Sequence, residues 1–196
     1  MEKFKLMKPN LEYKQEAIKY IREFERNNEN PEGPGNLSAY ISNYELWLEK
    51  LEIDRNVLAS EERVPAETFF LVRKEDNKII GMIDVKLVLN KKLREYGGNI
   101  GYNIRPTERR KGYNKINLYL ALKFCQTQGL KEVILATRKE NIGSWKTMEA
   151  LGGKCIKEYY DEKNVLDWVK RYEINVEDSL IKYEKEYKKL IWGKEW

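Results

Sequence analysis

Hydrophobic and polar positions change their spacing repeatedly along this chain, and each change marks an element. Phe4-Lys5-Leu6-Met7 alternates and predicts a short strand, ended by Pro9, with Asn10 placed to cap a helix. Leu11, Ala17, Ile18, Ile21 and Phe24 then recur at helical spacing. The run from Asn27 to Asn36 is dominated by Asn, Pro and Gly and reads as a loop. A second helix is predicted from about Ser38 to Asp54, with Tyr40, Tyr44, Trp47, Leu48 and Leu51 on one side. Thr68 to Val72 is rich in strand formers, Glu75 to Lys78 reads as a hairpin turn, and Ile79 to Leu87 forms the next strand. Gly97-Gly98 opens another strand in which Ile100, Tyr102 and Ile104 share a face.

Beyond that strand a polar loop, Arg105 to Asn114, runs into a helix from about Gly112 to Gln128, stopped by Gly129. A buried strand comes next at Lys131 to Thr137, then a helix begun by Asn141 and ended by Gly152-Gly153. Two strands come last, near Lys154 to Tyr160 and Asp167 to Ile174, before a helix from about Val176 to Ile191. Its Leu180, Tyr183, Tyr187 and Leu190 lie near one face, which fits either its own domain or a second subunit. The order predicts an α/β domain with a mixed, mostly antiparallel central sheet flanked by helices.

Composition narrows the class. With 196 residues, 41% of them hydrophobic and 12% aromatic, the chain can build one ordinary core without disulfides or a structural metal. The formal charge of +5 comes from interleaved basic and acidic residues, as in Glu184-Lys185-Glu186, and reads as a solvated surface. Basic residues gather only around Arg105 to Lys115, so nucleic acid is disfavoured as the main ligand. Two cysteines and no histidine exclude a histidine-based zinc site and a histidine general base. Met1 to Lys5 carries no apolar signal region and no run approaches a membrane span, so the expectation is a cytoplasmic protein without membrane attachment.

The chemistry concentrates between Gly97 and Gly153. At the start of the helix after Arg109, backbone N–H groups have no partner within the helix, and the helix dipole adds partial positive charge there. A pyrophosphate satisfies such groups without a metal. Gly112 removes a side chain where phosphate must come close, and Arg109, Arg110 and Lys111 can add charge-assisted bonds or face water. The segment lacks the lysine and hydroxyl residue of a nucleotide-triphosphate loop and the three spaced glycines of a dinucleotide fingerprint.

The order strand, basic Gly-containing loop, helix, strand, Asn-led helix resembles the acyl-coenzyme A module of the GNAT family of N-acetyltransferases. That family's signature is Arg or Gln, two residues, Gly, one residue, then Gly or Ala. Here it stands as Arg109-Arg110-Lys111-Gly112-Tyr113-Asn114, with Asn114 in place of the last small residue. Ile104-Arg105-Pro106 and Leu135-Ala136-Thr137 look like its two diverging central strands, and Asn141-Ile142-Gly143-Ser144 like the start of its later coenzyme-contacting helix. The resemblance implies an acyl-CoA N-acyltransferase fold over residues 1–174, with a helical insertion at about 10–66 and a C-terminal helical extension over 175–196. It also implies acetyl-CoA as the acyl donor, with no metal. Backbone groups of Ile104 and Arg105 would pair with the pantetheine arm, and the N–H groups from Arg110 through Lys111, Gly112 and Tyr113 to Asn114 would hold the pyrophosphate. Asn141, with Ser144 close by, would bond the coenzyme, a role compatible with capping its helix.

Catalysis in such a family is direct attack of a neutral amine on the thioester, with a strand N–H near Ile104 as the oxyanion donor. The tyrosine that in many members protonates the leaving thiolate is replaced here by Met148, and the histidine of some members by Asn99. Asp84 and Glu67 remain as candidate bases, each with an alternative reading as a solvated strand residue or a loop charge. Cys125, mid-helix and without an activating histidine, reads as packing. The expected partner is a small-molecule or peptide amine, for which Glu61, Glu62 and Glu67 would offer negative charge, and the expected assembly a monomer or homodimer. The competing reading is a catalytically weak or inactive acetyl-CoA-binding regulator.

Overall fold

The computed structural model describes residues 1–29 and 34–193, so the middle of the Asn27–Asn36 loop lies outside the described residues. Strand β1 (Phe4–Met7) leads through α1 (Lys14–Arg26) and α2 (Tyr44–Asn56) to β2 (Ala66–Arg73) and β3 (Lys78–Lys86). A short helix α3 (Lys91–Glu95) precedes β4 (Ile100–Ile104), α4 (Tyr113–Thr127), β5 (Glu132–Arg138) and α5 (Ile142–Ala150). The chain closes with β6 (Lys154–Asp161), β7 (Asp167–Asn175) and α6 (Val176–Tyr187). The strands form two antiparallel sheets in the orders β1-β2-β3-β4 and β5-β7-β6.

The two faces of the first sheet bury different halves of the core. Phe69, Leu71, Ile83 and Val85 pack with α4 residues such as Leu118 and Leu122, and Val133, Leu135 and Tyr172 of the second sheet join that cluster. Phe70, Val72, Ile79 and Met82 point the other way, against Ala17, Tyr20 and Phe24 of α1 and Trp47 and Leu51 of α2. Strands buried on both faces explain why Thr68 to Val72 reads as a continuous apolar run, not an alternating one.

Three elements differ from the sequence reading. The helix expected from Ser38 splits into a 3-10 turn, Pro34–Tyr40, and α2, because the Asn43 side chain accepts from the Leu46 N–H at 3.1 Å and caps a new start. Helix α3, capped by Asn90, is too short to show a period. The last helix ends at Tyr187, followed by a 3-10 turn, Lys188–Leu190. It packs on its own domain: Tyr187 stacks on Tyr119 of α4 with ring centroids 4.9 Å apart, and Ile191 bridges to Phe4 of β1. Residues 175–193 therefore share the main core. Among the described residues no helix is long and apolar enough to cross a membrane.

Candidate functional site

Strands β4 and β5 meet at one point and then part. Asn99, just before β4, donates its N–H to the Ile134 carbonyl at 2.6 Å. Its side-chain oxygen accepts the Ile134 N–H at 2.9 Å, and its Nδ2 bonds the Lys86 carbonyl at 3.0 Å. One buried carboxamide thus rivets the two sheets, a role that residue type alone did not announce. Gly98 is required beside it, since a Cβ there would lie 2.2 Å from the Ile134 carbonyl oxygen. Past the rivet the strands diverge in the same direction, for Tyr102 in β4 reaches Ser144, just beyond the C-terminal end of β5.

Antiparallel pairing decides which groups of β4 face the gap. The Arg105 N–H donates to the Ile80 carbonyl in the β3–β4 register, so odd-numbered residues of β4 bond β3. The N–H groups of Tyr102 and Ile104 therefore point toward β5. Ile104 keeps its N–H open while its carbonyl accepts Arg109 Nε at 3.1 Å.

At the mouth of the gap the loop into α4 folds its amides inward. Arg110 (φ 62°) and Gly112 (φ 83°) are both left-handed, with Lys111 between them. This alternation turns successive N–H groups into one concavity. From Arg110 to Asn114 these groups donate to nothing among the described residues. A Cβ at Gly112 would have no heavy atom within 4 Å, so the space above it is open. The surrounding cleft encloses about 650 Å³ and takes in Tyr102, Ile104, Arg109, Gly112, Asn141 and Ser144.

The basic side chains of this loop do something different from its amides. Arg105 is buried and turned away, hydrogen-bonded to Glu16 at 2.7 Å, within ion-pair range of Glu23 at 3.3 Å and lying over the Tyr20 ring, so it braces α1 and only its backbone belongs to the strand. Arg109 pairs through both terminal nitrogens with Glu29. Lys111 bonds Glu108 at 2.9 Å. Glu108, which the sequence reading passed over, is the anchor: its buried carboxylate also receives Arg73 at 3.2 Å and Lys78 at 2.7 Å. Burial pushes its pKa up, but hydrogen bonds from Lys78 and Lys111 and the charges of Lys78 and Arg73 outweigh this and hold it at about 2. The stability it contributes is fully present above the usual glutamate pKa and is lost as pH falls toward 2. Glu108→Gln should therefore flatten the acid limb of a thermal-unfolding pH series.

The far wall comes from α5. Asn141 caps that helix, accepting the Ser144 N–H at 3.2 Å, while its Nδ2 donates to no described residue. Asn114 turns its side chain toward Thr147 at 3.4 Å, leaving its N–H at the nest. Tyr102 shares a 3.1 Å hydrogen bond with the Ser144 hydroxyl, and burial raises its pKa. Met148 is buried below. Burial also pushes the Cys125 thiol up to about 12, which leaves it a packing residue.

A nest of free amides at a helix start, beside two diverging strands, is an arrangement with known parallels. The family description "Acetyltransferase (GNAT) family" matches residues 25–152. The chain belongs to the GNAT family of acetyltransferases. No curated protein sequence matches it. Among solved structures, Mycobacterium smegmatis RimJ in complex with CoA-disulfide aligns over 91% of this chain and 88% of its own, with 13% identity and a TM-score of 0.64. Ribosomal-protein-S5-alanine acetyltransferase from Vibrio fischeri aligns over 90% and 94%, with 18% identity and a TM-score of 0.62. A mutant form of the spermidine/spermine N-acetyltransferase SpeG from Vibrio cholerae aligns over 92% and 98%, with 16% identity and a TM-score of 0.61. At such identities the likeness is one of fold.

In this GNAT domain the two candidate carboxylates stand in different places. Glu67 is buried at the start of β2, and its oxygens are taken by Arg55 at 2.7 and 2.8 Å and by Lys8 at 2.8 Å. It serves as an ion-pair anchor between β2 and α2. Asp84 sits opposite Gly101 on β4, and a Cβ at Gly101 would lie 2.7 Å from its Oδ1. That oxygen therefore overhangs the bare midpoint of β4, while Oδ2 accepts Lys86 at 2.5 Å. Glu61 and Glu62 lie on the exposed loop before β2.

Proposed function

We propose that this protein transfers the acetyl group of acetyl-CoA to the amine of a small molecule or peptide, in the cytoplasm. The observation that supports it most is the run of unpartnered N–H groups from Arg110 to Asn114 facing open space at the mouth of the β4–β5 gap. Amides that already point one way accept a pyrophosphate with little reorganisation. Acetyl-CoA supplies an activated acetyl thioester. The chain's own groups orient it: the Tyr102 and Ile104 N–H groups toward the gap, Asn141 and Ser144 from α5.

The amine approaches Asp84 Oδ1 over Gly101, which contributes no side chain of its own. As its nitrogen bonds to the carbonyl carbon, a β4 N–H receives the developing negative charge on oxygen. Asp84 Oδ1 holds the amine and takes up the proton it sheds, directly or through water. The carbon–sulfur bond breaks, and the departing sulfur takes a proton from water or from the Tyr102 hydroxyl.

A second reading, a coenzyme-binding regulator without turnover, draws support from Met148, which cannot donate a proton. One experiment separates the two. Acetyl-CoA is titrated calorimetrically, and thiol release is then followed across a panel of amines. Uptake with acceptor-dependent thiol release supports transfer. Saturable uptake with no release from any amine favours the regulator, and no uptake by folded protein overturns both.

A further inference from the structure

A second groove, of about 620 Å³, opens against the second sheet between β6, β7 and the α3 turn. Its wall includes Arg171, which is only 6% exposed. One guanidinium nitrogen donates to the Glu95 carbonyl, but Nε has no partner. Among the described residues no carboxylate forms an ion pair with it. The Tyr159 hydroxyl, in the same wall, is buried beside the Arg171 guanidinium, toward which it turns its oxygen, and its own proton finds no acceptor. Asp161 spends an oxygen on the N–H groups of Lys163 and Asn164 at 3.0 and 2.9 Å, closing its own turn. Glu95, Asp161 and Glu162 line the same groove without pairing with Arg171, and a buried guanidinium left without an ion pair, its Nε free, calls for an acceptor.

The sheet register says what that acceptor belongs to. Asp84 is opposite Gly101, and Arg171 is opposite Ala136 on one side and Lys157 on the other. Gly101 and Ala136 each lie two residues beyond the Asn99–Ile134 rivet. Val133 and Leu135 face α4, so Ala136 and Arg171 face the opposite side, which is also the side of Asp84. One row across the sheets thus runs carboxylate, Gly, Ala, guanidinium, crossing the β4–β5 gap between Gly101 and Ala136. Resting on the acetyltransferase reading, we propose that the Arg171 groove is a subsite for a carboxylate or phosphate carried by the acceptor, whose amine lies at Asp84. The acceptor class is then an amine with an anionic group several bonds away, not a polycation.

The test uses ω-amino carboxylates against ω-amino amides of equal length, as acceptors and as calorimetric ligands. The carboxylates should be favoured about tenfold or more, chiefly in KM and in affinity. Arg171→Met should erase that preference, and Tyr159→Phe should reduce it. Acetyl-CoA affinity, measured in the same samples, should stay unchanged and shows that each variant is folded. Equal use of both series, or a preference that survives Arg171→Met, overturns the proposal. Stabilisation by inorganic phosphate that depends on Arg171 without any acceptor preference marks a free-anion site and overturns the acceptor assignment. If acetyl-CoA is not taken up but the carboxylates bind through Arg171, the subsite stands and the transferase reading fails.

Discussion

Gly112→Glu is expected to abolish measurable acetyl-CoA uptake while the protein stays folded. Two effects add. Gly112 has φ 83° and ψ 0°, a conformation that costs a residue with a Cβ on the order of 1 kcal/mol. The new side chain also projects into open space, since nothing lies within 4 Å of its Cβ position, and that space is where the free amides converge. The substitution thus places a carboxylate where a doubly charged linker would sit, and the carboxylate satisfies those amides internally. Affinity should fall at least about a hundredfold, because several charge-assisted hydrogen bonds are lost together. Gly112→Ala is the control. It carries the backbone strain alone and should lose only a few-fold in affinity, with a small drop in melting temperature. If Gly112→Glu binds acetyl-CoA as the parent does, the nest is not the phosphate site.

The legibility of this fold in its sequence follows a physical division. Elements with a long period, such as α4 with Leu118 and Leu122 on its buried side, announce themselves because burial must recur. The amide nest was also legible, since Gly112 at a helix start has few other uses. What could not be read were contacts between residues far apart in the chain. Glu108 appears as one charge among many until Arg73 and Lys78, from the β2–β3 hairpin, close on it. Asn99 reads as the absence of a histidine, yet its carboxamide has both the donor and the acceptor needed to join Lys86 to Ile134. In sequence Arg105 enters through its backbone and Arg109 as a phosphate ligand, and nothing says where either guanidinium goes. Only Glu16, Glu23 and Glu29, contributed by α1 and the turn after it, draw their side chains elsewhere.

The same division makes Asp84 the residue whose replacement is most informative about turnover. Asp84→Asn keeps the shape and an oxygen able to accept a hydrogen bond at Gly101, and it removes only the charge. If that charge holds the incoming amine and receives its proton, kcat should fall about a hundredfold or more. Acetyl-CoA affinity should not move, because the nest and the α5 wall lie on other elements. If Asp84 instead serves only to neutralise Lys86, the same variant should lose about 1 kcal/mol of stability or less and keep its kcat, since Lys86 is partly exposed and can reach water. Gly101→Ala separates these readings from another direction. Its added methyl would lie 2.7 Å from Oδ1 and displace the carboxylate without altering its charge. A catalytic carboxylate tolerates neither change, whereas a structural partner of Lys86, free to pivot about that ion pair, tolerates the methyl. Loss of turnover in both variants, with coenzyme binding intact in both, is therefore the outcome expected of a carboxylate that acts on the amine.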